Sequence, residues 1–252
     1  MTHRIPTILC TLFSSLILFQ SCSKSGTTGP QGPAGPSFKG AIAGYVLLFD
    51  QYGNPVDTST SSISLTLDSV ENPIATVQAN SKGYYFFPGR YTGTYSTIAT
   101  SAGYGSVLGF FQYLQDTLNR NISLSAQANF SPSGVTMASS TVAGADSLYI
   151  TMPNADPLAR QLIIFVNSSS SVSNSNYLYS VTVRINPNAT LVKTAIAATA
   201  LHDVGIASGS TAYFAIYGEP IADHSVYNNA QTGQNVYTAL SSSAGAASAI
   251  VP

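Results

Sequence analysis

The sequence predicts an all-β protein built from two β-sandwiches in tandem. Several stretches alternate apolar and polar residues with a period of two, as half-buried strands do, and Ile63, Leu65 and Leu67 belong to one of them. Turn residues recur about every eight to twelve residues, which is typical of sandwiches. The chain has 15 Tyr, 11 Phe and no Trp, and aromatic residues favour pleated strands.

The composition excludes some partners. Charged residues make up 8% of the 252 residues, and the formal net charge is −1. Ordinary globular proteins carry about 25% charged residues. Because nucleic-acid binding relies on basic surfaces, we expect no nucleic-acid partner. Hydrophobic residues reach 44%, which is enough for a packed core and argues against disorder.

Residues 1–21 have the pattern of a secretory signal peptide. The polar residues His3 and Arg4 precede a mostly apolar run from Ile5 to Phe19. This run is too short to cross a bilayer comfortably, and a small residue, Ser21, follows it at the expected cleavage position. The pattern therefore predicts export, with an ordinary signal peptide or a signal anchor as alternatives to a lipoprotein signal.

The segment Phe19-Gln20-Ser21-Cys22 resembles a bacterial lipobox. The resemblance implies that Cys22 becomes the lipidated first residue of the mature chain. The only other cysteine, Cys10, lies in the apolar run, so the mature body has no thiol left for a disulfide or a cysteine metal site. The expected partner is a membrane, and the expected place is the bacterial outer membrane, on its periplasmic or extracellular face.

Residues 22–37 are expected to link this cysteine to the folded body. Glycines recur every third residue at Gly26, Gly29, Gly32 and Gly35, which resembles a short collagen-like tract. It is similar to the stubs that follow the lipidated cysteine in lipoproteins of the Bacteroidetes type. A collagen triple helix needs many more such triplets, so we expect an extended spacer. Whether the tract joins three chains stays open.

Residues 38–127 are expected to form the first sandwich. Predicted strands cover 41–50, 62–68, 75–79, 84–87, 94–100 and 121–127. The stretch from Phe110 to Asn119 is ambiguous between a helical turn and a strand. Turn residues such as those of Gln51–Pro55 and Asn80–Gly83 separate the strands.

The same residues resemble the carboxypeptidase regulatory-like domain. The matching segments, in family order, are Gly44–Val56, Asn80–Phe86, Gly93–Tyr95 and Ala102–Tyr104. Asn80 stands where the family prefers Asp, and Ile63 stands where it prefers Val. The resemblance implies a transthyretin-like sandwich of about seven strands that accompanies other modules and carries no chemistry itself.

Residues 128–252 are expected to form the second sandwich. Predicted strands cover 146–152, 161–166, 178–185 and 210–217. The Ala-rich stretch Ala189–Ala200 has helix propensity, but its Thr residues and Ile196 favour a strand. The strand order resembles a fibronectin type III or other immunoglobulin-like sandwich.

No catalytic or metal site is predicted, and no cofactor. The pairs His202–Asp203 and Asp223–His224 lie 22 residues apart, whereas a zinc site needs three or four converging ligands. We expect both pairs in surface loops. Asp50, Asn54 and Asp57 offer oxygens to Ca²⁺, but they fit a turn more simply. The chain lacks the Gly-x-Ser-x-Gly motif of a hydrolase nucleophile, so we expect no enzyme.

Three short motifs resemble the Asp-Ser/Thr-aliphatic acceptor for O-glycans in Bacteroidetes-type bacteria. They place candidate acceptors at Ser69, Thr117 and Ser147. Chance alone accounts for about one such match in a chain of this composition. We expect Ser147 to lie within a strand.

Tyrosines beside the predicted strands offer one route to ligand binding. They are Tyr84, Tyr85, Tyr177, Tyr179, Tyr213 and Tyr217. An outward ring stacks on sugars, whereas an inward ring with a bonded hydroxyl belongs to the core, and the inward position is favoured. The predicted function is therefore a non-catalytic, lipid-anchored envelope protein with an adhesive, scaffolding or binding role. The alternative is a glycan-binding surface lipoprotein that assists polysaccharide uptake.

Overall fold

The structure is a computed structural model that describes residues 39–59, 62–69, 74–114, 116–139, 145–242 and 245–252. The predicted signal peptide, Cys22 and the Gly/Pro linker lie outside the described residues. All described residues belong to one compact unit.

Strands dominate the described residues, and one short helix accompanies them. The first group of strands is β1 (Lys39–Phe49), β2 (Pro55–Val56), β3 (Ile63–Asp68), β4 (Ala75–Gln78), β5 (Tyr84–Tyr91), β6 (Gly93–Ser101), β7 (Val107–Tyr113), β8 (Thr117–Asn119) and β9 (Ile122–Ser125). The second group is β10 (Gly134–Ser139), β11 (Ala145–Thr151), β12 (Arg160–Asn167), β13 (Tyr179–Ile185), β14 (Leu191–Ala197), helix α1 (Ala198–Asp203), β15 (Thr211–Glu219), β16 (Val226–Asn228), β17 (Asn235–Tyr237) and β18 (Gly245–Ile250).

The first group folds into a sandwich of two sheets. Strand β1 is central in one sheet, where it pairs antiparallel with β2 and β5 and parallel with β8 and β9. The other sheet has the order β4-β3-β6-β7. Alternate residues of both sheets point inward and form one hydrophobic core, whose largest fully buried side chains include Tyr85, Phe87, Tyr95 and Tyr113.

The second group forms another sandwich with its own core. One sheet has the order β10-β11-β14 and the other β13-β12-β15-β18. Strand β12 is almost entirely buried, because its inner face meets the core and its outer face is covered by other residues. That covering includes Tyr177, Tyr237 and Leu240, which pack with Ile163 and Phe165. The predicted all-β fold of sandwiches is confirmed.

Several local predictions gain detail. The described residues of the ambiguous stretch Phe110–Asn119 form the end of β7 and then β8, and none of them is helical. The Ala-rich stretch is a strand from Leu191 to Ala197, as predicted, but it continues as helix α1. Strands β2, β10, β16, β17 and β18 were not predicted, because they are short or rich in small and polar residues, which makes their alternation weak.

Buried and partly buried hydrogen bonds join the two sandwiches. The N–H of Ser125 donates to Ser225 Oγ at 2.9 Å, and the N–H of His224 donates to Ser125 Oγ at 2.8 Å. Thr238 Oγ1 donates to the carbonyl oxygen of Ser106 at 2.6 Å. The rings of Phe49 and His224 lie 4.2 Å apart. We call these contacts the junction.

Three further hydrogen bonds join the sandwiches beside the loop after β1. The N–H of Asn129 donates to Gln51 Oε1 at 2.9 Å, and Tyr52 Oη donates to Asp156 Oδ2 at 2.8 Å. The N–H of Ile221 also donates to the Gln51 carbonyl oxygen at 2.9 Å. Because these bonds come from separate loops, they fix the orientation of one sandwich against the other.

Candidate functional site

The outer face of the β1–β5 pair carries a cluster of large side chains that are exposed or half-buried. Successive side chains of a strand point to opposite faces, so the burial of Val46 and Tyr85 places their neighbours outside. The outward residues are Tyr45, Leu47, Tyr84 and Phe86, which we call the aromatic platform. Tyr45 and Tyr84 are register partners, and their ring centroids lie 5.3 Å apart at 60°.

The aromatic platform is open to solvent. Tyr45 is 47% exposed on the central strand β1, and Phe86 is 46% exposed on β5, at the edge of the same sheet. Exposed clusters of this kind on soluble proteins mark interaction surfaces, whereas single exposed apolar residues are common and need no explanation. The platform therefore is the leading candidate for a binding surface.

A row of uncharged polar residues borders the aromatic platform. Parallel pairing places residues of β8 and β9 beside the outward residues of β1. Thr117 pairs with Ala41, Asn119 pairs with Ala43, and Ser123 pairs with Leu47. We call Thr117, Asn119 and Ser123 the polar row. At the gap between β8 and β9, Asn121 Oδ1 accepts the N–H of Tyr45 at 3.0 Å. From residues 41 to 47, the outward positions of β1 and these register partners include no Asp, Glu, Lys or Arg.

This arrangement suits a ligand with an apolar face and uncharged hydroxyl groups. The negative face of an aromatic ring attracts the polarised C–H groups of a sugar ring. Hydroxyl and amide side chains both donate and accept hydrogen bonds, as sugar hydroxyls require. The register partners named above carry no charge, while Asp57 and Lys82 line a hollow beside Leu47 at one end of the platform.

Two carboxyl groups with shifted acidity lie away from this surface. Burial raises the pKa of Glu219 to about 7, although the hydrogen bond from Gln161 opposes the shift. Burial also raises the pKa of Asp223 to about 6, against the hydrogen bond from the Ser225 N–H. Glu219 is only 4% exposed, and its carboxylate accepts hydrogen bonds from Gln161 and Thr182.

The predicted His–Asp pairs do not come together as a metal site. His202 and Asp203 are exposed at the end of α1, so this pair lies on a helix and not in a loop. Asp223 is half-buried at the junction, where its Oδ1 accepts the Ser225 N–H at 2.7 Å. Within the described parts of the chain, no group of three His, Cys, Asp or Glu residues is placed to hold a metal ion.

The Asp50 turn is closed by its own hydrogen bonds. Its carboxylate accepts the N–H groups of Tyr52 and Asn54 at 2.9 and 2.8 Å, and the Asn54 side chain at 3.0 Å. Asp57 similarly accepts both the N–H and the hydroxyl of Ser59. These contacts fit the turn role that the sequence favoured over Ca²⁺ binding.

The candidate O-glycan acceptors lie in different surroundings. Thr117 is exposed in β8, within the polar row, and Ser69 is half-buried just after β3. Ser147 lies inside β11 and is 8% exposed, so a sugar transferase reaches it only before β11 is packed. The use of any of these residues stays a prediction.

The tyrosines named from the sequence divide into two sets. Tyr85 and Tyr177 are buried, and their hydroxyls donate to the carbonyl oxygens of Arg120 and Asn235 at 2.5 and 2.9 Å. Burial raises the pKa of Tyr85 to about 12, so this donor stays protonated. The half-buried tyrosines are Tyr84, Tyr179, Tyr213 and Tyr217.

Sequence reasoning missed Tyr45 and Phe86, the most exposed aromatic residues of the platform. The available signal was the alternating direction of side chains along β1, which places Tyr45 and Leu47 on one face of the sheet and Val46 and Leu48 on the other. It did not show that β5 would pair with this strand, because pairing between strands far apart in sequence is set by the tertiary fold.

The described residues include no helix both long enough and apolar enough to cross a membrane. Cys22, the predicted lipidation site, lies outside them.

No protein-family model and no curated protein matches the chain. Among solved structures, the chain is similar to a "putative carbohydrate binding protein" from Bacteroides uniformis, at 12% identity and TM-score 0.31, covering 84% of this chain and 99% of that one. It is similar to a DUF3823 family protein from Parabacteroides merdae, at 14% identity and TM-score 0.31, with the same coverage of 84% and 99%.

A two-domain fibronectin type III segment of chicken tenascin is also similar, at 10% identity and TM-score 0.26, covering 77% of this chain and 94% of that one. These likenesses concern the β-rich fold alone. The carboxypeptidase regulatory-like and lipoprotein resemblances stay predictions, and the function is inferred from the residues of this chain.

Proposed function

We propose that the protein is a non-catalytic, lipid-anchored envelope protein whose folded body binds neutral glycans. The observation that carries the binding role is the aromatic platform, with the uncharged polar row beside it. Aromatic faces supply stacking area, and the neighbouring hydroxyl and amide groups supply hydrogen bonds. This corresponds to the glycan-binding alternative of the predicted function.

The anchor in this proposal is supported by the sequence of residues 1–37. Acylation of Cys22 would hold the chain on a membrane, since several acyl chains together give nearly permanent attachment. A Gly/Pro spacer would then hold the body away from the lipid surface. Attachment also brings many copies to one surface, so weak binding by each copy adds up to strong binding of a polymer.

Electrophoretic retardation in gels containing a soluble neutral polysaccharide tests the binding role. The full chain in detergent micelles is compared in gels with a β-glucan, an α-mannan or a xylan. The double variant Tyr84→Ala/Phe86→Ala removes two platform rings and leaves the core intact. We expect the dissociation constant derived from the retardation to rise about tenfold, which corresponds to about 1.4 kcal/mol of binding free energy.

The matched control is Leu191→Ala, an exposed apolar residue of β14 in the second sandwich. We expect it to migrate like the wild type. Equal retardation of the wild type and the double variant in every gel would contradict a glycan role for the platform. Retention of the wild type by envelope proteins, with no polysaccharide retardation, would favour the scaffolding role instead.

A further inference from the structure

A groove lies between the first sandwich and the β16–β17 hairpin of the second. One wall consists of Leu108 and Phe110 on the outer face of β7, and the other consists of Tyr227 and the hairpin loop residues 229–231. Its volume is about 300 Å³, near the lower end of the range for small-molecule sites. Phe110 is 56% exposed, so one aromatic side chain of the groove is available to a ligand.

The hairpin is held in place from the second sandwich. Tyr177 Oη donates to the carbonyl oxygen of Asn235 at 2.9 Å, and Gln234 Nε2 donates to the carbonyl oxygen of Tyr177 at 2.7 Å. The rings of Phe165 and Tyr237 lie 5.4 Å apart. Strand β17 is therefore anchored on the second sandwich, and the loop before it extends toward β7.

The loop itself is ordered by short-range hydrogen bonds. Asn229 Oδ1 accepts the N–H of Gln231 at 2.9 Å, and the carbonyl oxygen of Asn229 accepts the N–H of Gly233 at 2.7 Å. Thr238, just after β17, is bonded to Ser106, just before β7. Both walls are thus fixed before a ligand arrives, which lowers the entropy cost of binding.

The lining residues indicate the chemistry of the occupant. They are Leu108, Phe110, Tyr227, Asn229, Ala230 and Gln231. Two aromatic rings, two primary amides and no charged group match a ligand with C–H faces and uncharged hydroxyls. A phosphate, a carboxylate or an acidic peptide finds no cation in this lining.

We propose that this groove is a second binding site for a neutral sugar, separate from the aromatic platform. It shares with the proposed function only the chemical class of its ligand. The platform lies on the outer face of the β1 sheet, and the groove lies on the outer face of the β4-β3-β6-β7 sheet. The two outer faces of a sandwich point in opposite directions, so one chain holds two separate glycan strands and bridges them.

The number of bound oligosaccharides per chain tests this proposal. The full chain in detergent micelles is titrated with fluorescently labelled cellohexaose, maltohexaose and mannohexaose, and binding is followed by anisotropy at protein concentrations that give stoichiometry. For the hexasaccharide that binds, we expect two molecules per wild-type chain. We expect one after Phe110→Ala/Gln231→Ala, one after Tyr84→Ala/Phe86→Ala, and none in the fourfold variant.

Each result decides between the two sites. If Phe110→Ala/Gln231→Ala leaves both the stoichiometry and the affinity unchanged, the groove is not a sugar site. If only the platform variant loses bound sugar, the proposed function stands without the groove. A loss confined to the groove variant would support the groove and overturn the platform. Failure of all three sugars to bind the wild type would overturn both.

Folding is controlled separately. Phe110 and Gln231 are exposed, so the thermal unfolding midpoint of the groove variant is expected to match that of Leu191→Ala. The single variant Gln231→Ala changes only the loop, and we expect it to weaken groove binding at least threefold without changing platform binding.

Discussion

The backbone N–H of Ser125 donates a hydrogen bond of 2.9 Å to the hydroxyl of Ser225, which lies 100 residues further along the chain. Ser125 also accepts the N–H of His224 through its own hydroxyl. Both serines are fully buried. Two residues with no distinctive sequence motif thus join the end of β9 to the segment that leads into the β16–β17 hairpin, and so help to position one wall of the groove.

Ser225→Ala is expected to lower the free energy of unfolding by about 1–3 kcal/mol. The change removes the acceptor of a buried N–H, and an unpaired buried polar group costs about that much. Urea denaturation measures the effect. The exposed Ser242 provides the control, since Ser242→Ala should change stability by less than about 0.5 kcal/mol. Equal stability of both variants would show that the junction bond contributes nothing.

Gly105→Ala and Gly134→Ala are expected to change stability in opposite directions. A Cβ on Gly105 would lie 2.5 Å from Ser225 Cβ and 2.8 Å from the backbone N of Ala239, so the junction must shift. We expect a loss of about 1–3 kcal/mol. At Gly134 the nearest atom lies 3.8 Å away, and replacement by Ala reduces the entropy of the unfolded chain, which stabilises by about 0.4–1 kcal/mol.

Differential scanning calorimetry compares these two glycine variants with the wild type. A Gly105→Ala protein as stable as Gly134→Ala would mean that the junction accommodates the added methyl group at no cost. That result would also remove the basis for a groove with fixed walls.

Stability is expected to fall as the pH rises from 5 to 8. Glu219 and Asp223 have raised pKa values in the folded state, about 7 and about 6, so the folded state binds their protons more tightly than the unfolded state. Their contribution is complete below about pH 4. It declines as the unfolded chain, and then the folded chain, loses each proton. Urea denaturation at pH 5, 6.5 and 8 measures the slope.

The variant Asp223→Asn separates the two carboxyl groups. The amide oxygen of the new side chain would still accept the Ser225 N–H, but the amide cannot ionise, and the nearby charge that raises the pKa of Glu219 is lost. We therefore expect a smaller decline in stability between pH 5 and pH 8. The exposed Asp203→Asn serves as the control and should keep the wild-type slope. A slope unaffected by Asp223→Asn would contradict the linkage.

Cys22→Ser is expected to abolish lipidation and release the chain from membranes. Metabolic labelling with palmitate and fractionation of cells by ultracentrifugation measure both effects. The matched control is Cys10→Ser, which lies in the predicted signal peptide and should leave labelling and fractionation unchanged. A wild-type chain that is unlabelled and wholly soluble would contradict the anchor.

Local patterns were sufficient to predict most strands, because alternation and turn chemistry act over a few residues. The alternation of Ile63, Leu65 and Leu67 predicted β3 and its inward face correctly. The helix after β14 was missed, since the sequence Ala198–Asp203 is too short for its propensity to stand out from the preceding strand. Asp223 was expected on the surface, and only the packing of its loop against Ser125 makes it half-buried.

By itself, the sequence determined that the body is all-β, poor in charged residues and without a cysteine after Cys22. Those properties follow from composition and from short-range periodicity. Only the tertiary structure decided that Tyr45 meets Tyr84, that Thr117 and Ser123 border them, and that Phe110 faces Tyr227 across a groove. Such contacts depend on strand pairing and loop docking over tens to hundreds of residues. The free energy that selects them comes from burying the core of each sandwich, which no local pattern records.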